Sequence, residues 1–133
     1  MPKTTPRLVL IALLLGCDER ERLTFPSNQP GDDDQGPITV IDIPRDDTVL
    51  TEGDPFVLSG RSIDSSGVDT VYFDIVNGAF GFSPLTGEGA DTVRFGLQIS
   101  TIGRSGQTIT VSAIAVDVLG NRGGPAIRRL SIE

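Results

Sequence analysis

Four residues rich in oxygen, Asp64, Asp69, Asp117 and Asn121, stand at turn sequences in a chain of 133 residues. If the segments around 64–69 and 117–121 meet in the fold, their side chains offer ligands to Ca2+, which takes about 6–8 oxygens. Asp and Asn in turns also accept hydrogen bonds from their own backbone. That structural use is the expected one here, with calcium the alternative and no resident metal assigned. Asp32-Asp33-Asp34 makes no second calcium loop, because the glycine and the later glutamate of an EF-hand are missing. Other chemistry is thinly supplied. The absence of His removes Ser-His-Asp and Cys-His catalysis. Gly81-Phe82-Ser83-Pro84-Leu85 lacks the final glycine of a nucleophile elbow. One Cys allows neither an internal disulfide nor a thiolate zinc site. Carboxylate pairs are plentiful, yet a domain this small has little room to set two of them across a cleft. No catalytic residue is expected. A formal charge of -7 argues against a nucleic-acid partner, since phosphate binding relies on clustered Lys and Arg.

The single Cys has a more specific setting. Lys3 and Arg7 precede an apolar run from Leu8 to Leu15, which is too short to span a bilayer core of about 30 Å. Leu14-Leu15-Gly16-Cys17 follows, and Asp18 turns the chain polar at once. This segment resembles the lipobox of bacterial lipoproteins. The resemblance implies cleavage before Cys17, a diacylglycerol on its sulfur and an acyl chain on the new amine. Two or three chains at about 0.8 kcal/mol per buried CH₂ give stable anchoring. The expected partner at this end is therefore membrane lipid, and the expected place is the bacterial cell envelope, facing the periplasm or the exterior. Residues 17–37 read as the lipidated Cys and an acidic, flexible linker, poor in apolar residues and without period. Twenty such residues span about 25 Å on average.

From residue 38 the texture becomes alternating. Val93, Phe95, Leu97 and Ile99 interleave with Arg94, Gly96 and Gln98, a period of 2 with one buried face. Val71, Phe73 and Ile75 form a second inward row, Phe56 and Leu58 a third, and Ile109, Val111, Ala113 and Ala115 a fourth. Turn clusters rich in Gly, Asp, Ser and Asn separate them. Strands are predicted near 38–43, 48–50, 55–62, 68–77, 91–100, 107–118 and 126–132. About seven strands in this length predict an all-β, immunoglobulin-like sandwich over 38–133. Three motifs carry a family resemblance. Thr48 to Gly60 is similar to the first strands of bacterial Ig-like domains, and Ile63 to Phe73 to their B–C loop and C strand. Ala115-Val116-Asp117-Val118-Leu119-Gly120-Asn121 resembles their F strand, which typically ends Ala-x-Asp-x-x-Gly-Asn. The paired Cys and the strand-C Trp of antibody domains are absent; Tyr72 and Phe73 stand at the Trp position.

If Val111, Ala113 and Ala115 face the core, then Ile114, Val116 and Val118 point outward, beside Tyr72 and Val76. Those five make a possible apolar interaction patch. The segment 78–90, with Phe80, Phe82, Pro84 and Leu85, is expected to be irregular and to fold across it. Arg128 and Arg129 in the last strand are expected to form a solvated edge that discourages pairing. Together these features describe a membrane-anchored lipoprotein whose Ig-like domain is a non-catalytic binding or structural module, meeting an unknown envelope protein or glycan. The alternative is a carbohydrate-binding accessory module, which a row of exposed aromatics would favour; the chain has no Trp.

Overall fold

In the computed structural model, which describes residues 33–133, Asp33–Glu133 forms one compact unit built from strands, with no helix among the described residues. Residues 1–32, including the expected signal segment and Cys17, lie outside the described residues. Six continuous strands follow in order: β1 (Ile38–Ile43), β2 (Thr48–Leu50), β3 (Phe56–Val76), β4 (Leu85–Ile99), β5 (Thr108–Asp117) and β6 (Ala126–Ile132).

Two of these strands are long because each serves both layers. The first half of β3 pairs antiparallel with β1 on one side and with the second half of β4 on the other. Its second half pairs with β5, which continues to β6, and β2 joins β6 in parallel. The expected strands 55–62 and 68–77 are thus one strand, and the strand expected from residue 91 begins at Leu85. The inward phase explains how one strand does two jobs. Leu58, Gly60 and Ser62 face the core in the first half, whereas Val71 faces it in the second, with Phe73 and Ile75 packed against it. A shift of register between Ile63 and Thr70 makes that change from even to odd positions. One extra residue moves every following side chain to the other face. Gly67, at φ +102°, sits in this bend directly against Gly89 of β4, at φ +77°, so a Cβ on Gly67 would collide with the Gly89 carbonyl.

The core lies between the layers. Its rows are those the alternation predicts: Val93, Phe95, Leu97 and Ile99 from β4, and Ile109, Val111, Ala113 and Ala115 from β5. Ile41, Val68, Leu130 and Ile132 complete it. Each large side chain so buried contributes about 1.5–3 kcal/mol. Phe73 meets Phe95 edge to face, with ring centroids 5.1 Å apart, filling the centre that a Trp and a disulfide occupy in antibody domains.

The margins close by particular contacts. Arg128 lies on the inward-facing side of β6, and its guanidinium donates from Nε to the Pro44 carbonyl at 2.9 Å and from Nη2 to the Ile41 carbonyl at 3.1 Å. Arg129 pairs with Asp47. The expectation of two solvated arginines is corrected for Arg128, which is tied to the Ile41 and Pro44 carbonyls, while Arg129 keeps an exposed side chain beside Asp47. Segment 78–84 also departs from expectation. Phe82 packs on the core, and the chain from Leu85 enters β4, so neither folds over the outer face.

Candidate functional site

Three elements deliver carboxylates to one end of the sandwich. Asp33 lies ahead of β1, Asp64 at the bend of β3, and Asp117 at the end of β5. One oxygen from each lies within 4.8 Å of the others, and Asp64 and Asp117 are buried. Like charges so close are tolerated because donors surround them. Asp117 Oδ1 accepts the backbone N–H of Leu119 and of Asn121, and its Oδ2 accepts Asn121 Nδ2 at 2.9 Å. The same Asn121 amide donates to the Asp33 carbonyl at 2.6 Å. Asp33 Oδ2 accepts the Ser66 hydroxyl at 2.6 Å, and Asp64 Oδ1 the Ser66 N–H at 2.7 Å.

This arrangement is a clasp. Asn121 shapes the turn after β5 and simultaneously holds the chain where it enters the sandwich. Gly36 and Gly123 press their backbones together beside it, and a Cβ on either would collide with the opposing chain. Pro37 is buried here too. Residues 33–37, assigned to the flexible linker by composition, therefore belong to the folded body. Three of the four expected calcium candidates, Asp64, Asp117 and Asn121, meet as the loop argument requires. Asp69 does not: it is exposed and accepts only the neighbouring Thr70 hydroxyl. Asp33, which sequence reasoning missed, takes its place. Nothing in its local sequence separates it from Asp32 and Asp34.

Burial pushes the Asp117 carboxyl up, while the Asn121 side chain and the N–H groups of Asn121, Leu119 and Gly120 pull it down; the net result lies below the usual carboxylate value of 3.8. Asp117 therefore stays ionised at neutral pH, as an acceptor of turn hydrogen bonds. A proton donor or shuttle at pH 7 needs the opposite shift.

Of the five residues of the expected patch, Tyr72, Ile114 and Val116 lie together on the outer face of the β3–β5–β6 layer. Val76 is set apart from them by the Asp74–Ser112 pair, and Val118 stands past the end of β5. Tyr72 stands directly opposite Ile114, and Thr70 opposite Val116. Tyr72, Val76 and Val118 are about half exposed, and Ile114 and Val116 are partly buried. Ile127, across from Ser112, adds an exposed apolar residue on β6. Toward the opposite end from the clasp, a groove of about 310 Å³ runs between Gly53–Pro55 and Gln98–Ile102, with Phe80 over it. Phe80 and Ile102 are 72% and 73% exposed, so the groove is apolar and open.

Strand order alone makes the fold an immunoglobulin-like sandwich. No protein-family model matches the chain, and comparison with curated proteins gives no match. Among solved structures, the chain is similar to the fibronectin(III)-like modules of Clostridium thermocellum CbhA, at 12% identity and a TM-score of 0.47, over 72% of this chain and 96% of that one. It is also similar to the SrpA adhesin from Streptococcus sanguinis, at 16% identity and a TM-score of 0.49, over 79% of this chain. The alignment spans 60% of the adhesin's length.

Proposed function

We propose that this chain is a lipid-anchored, extracytoplasmic lipoprotein whose sandwich works by contact, as a binding or structural module without catalysis. The observation that carries the reading is the segment Leu14-Leu15-Gly16-Cys17 behind Lys3, Arg7 and the apolar run, followed within sixteen residues by a folded β body that begins at Asp33. Two further features support it. The carboxylates that converge are engaged by turn donors, and Tyr72, Ile114 and Val116 on the outer face offer area for apolar contact with an envelope protein. The carbohydrate reading gains nothing comparable: Tyr72 lies on the outer face of a sheet and Phe80 over the groove, so the two rings form no shared platform.

The test is metabolic labelling with a clickable fatty acid, in wild type and in Cys17→Ser. Label in the wild type and none in the variant is expected. Equal labelling of both would refute the anchor.

A further inference from the structure

The sandwich has four margins where backbone groups lack a ladder partner, and three are guarded. β1 carries a register shift between Ile41 and Ile43, and Arg128 donates to the Ile41 carbonyl and to that of Pro44 just past the strand. β2 is only three residues long. The 72–76 stretch of β3, beyond its last pairing with β4 at Val71, is short, carries the charge of Asp74 and ends at Asn77, at φ +61°. Short strands, bulges and inward charges are the usual ways of protecting an edge.

The second half of β4 has none of them. From Thr92 to Ile99 it pairs without interruption to β3, and among the described residues no strand pairs its other side. That stretch, Thr-Val-Arg-Phe-Gly-Leu-Gln-Ile, holds no proline and one charge, Arg94. In an antiparallel ladder every second residue turns its N–H and C=O away from its partner. A straight row of donors and acceptors therefore faces outward, and its complement is another extended strand.

We propose that this edge pairs with the same edge of a second copy, antiparallel about a two-fold axis at Gly96. The sequence supports the choice, because its pattern of polar and apolar residues is symmetric about that residue. Arg94 faces Gln98, and Thr92 faces Ser100, on the outer side; Val93 faces Ile99, and Phe95 faces Leu97, on the inner side. Polar meets polar, apolar meets apolar, and no like charges are opposed. The result joins two three-stranded layers into one continuous six-stranded sheet, in the isologous manner of a two-fold dimer. A single shared edge buries little area, so association is weak, at the low end of specific interfaces.

Sedimentation equilibrium of the full-length, unlipidated Cys17→Ser protein, from about 1 μM to about 1 mM, reads this directly, spanning the weak range expected of a small interface. The mass is expected to rise from one chain to two, and alternate amides in 92–99 to exchange at least about tenfold more slowly at the high concentration. Gly96→Lys sets two ammonium groups face to face on the axis and should weaken dimerisation by more than about tenfold. The added Cβ meets only Val57 Cγ1, at 3.7 Å, so the fold has room for it. Gln98→Arg, which brings guanidinium groups opposite each other, gives an independent second reading. A protein that stays monomeric throughout overturns the proposal. So does a dimer that survives both variants, or one lost in Ile114→Asp but kept in Gly96→Lys, which moves the interface to the outer face.

Discussion

Asp117 illustrates how one side chain ties stability to acidity. Its carboxyl is held below 3.8 in the folded protein, chiefly because Asn121 and the turn N–H groups outweigh the effect of burial. A depressed folded value adds stability that is complete above the unfolded value, about 3.9, and is lost as pH falls through the folded one. The expected outcome is that Asp117→Asn melts below wild type at neutral pH and that the gap narrows as pH falls below the usual carboxylate value. The same melts run with millimolar calcium and with chelator should coincide, since turn donors already account for the three carboxylates; a rise with calcium would make the cluster a cation site. Asp64, Asp117 and Asn121 were legible as a group because turn residues on neighbouring connections of a sandwich share one end. Asp69 was misplaced because the bend of β3 turns it away. Asp33 was illegible, since its bond to Asn121 crosses 88 positions of sequence.

Among the elements, the shared bends of β3 and β4 decide the architecture. Alternation in the sequence locates each buried row, because a period of 2 survives whatever the strand pairs with. It cannot show that two rows belong to one strand, since the bulge that joins them breaks the very period being read. Gly67 and Gly53 separate the two costs of filling such a position. Both have positive φ, but only Gly67 faces another backbone, whereas nothing lies within 4 Å of a Cβ on Gly53. Gly53→Ala should cost about 1 kcal/mol, from conformation alone. Gly67→Ala should cost at least about 3 kcal/mol, because the bend must also open. Urea melts of both variants measure the difference, and equal losses would show that the contact with Gly89 yields freely.

For the molecule as a whole, composition misjudged where folding starts. Asp33, Gly36 and Pro37 are polar, small or turn-forming, the types that mark a linker, yet they pack against the turn after β5. A fragment of residues 33–133 should therefore melt at a higher temperature than one of residues 38–133, with both showing the same far-ultraviolet β signal; identical midpoints would remove the clasp from the stability of the body. The charge carries a second consequence of the cleavage expected before Cys17. Loss of Lys3 and Arg7 changes the formal charge from -7 to -9 and leaves a chain without lysine.

The parallel pairing of β2 with β6 brings in a property of another kind. The chain enters the sandwich at the clasp, beside the end of β5, and β6 finishes beside its start, where Ile132 donates to Gln107 and Glu133 to Leu50. These two points are separated by the length of β5, ten residues or about 30 Å. Tension applied between them runs along the strands. β1 would have to slide along β3, and β2 along β6, with the bonds at Thr48–Leu130, Val49–Ser131 and Leu50–Ile132 all strained together. Bonds loaded side by side share a pull that would part a hairpin one rung at a time. Drawing the two points apart along the strands therefore requires these bonds to yield together rather than in turn.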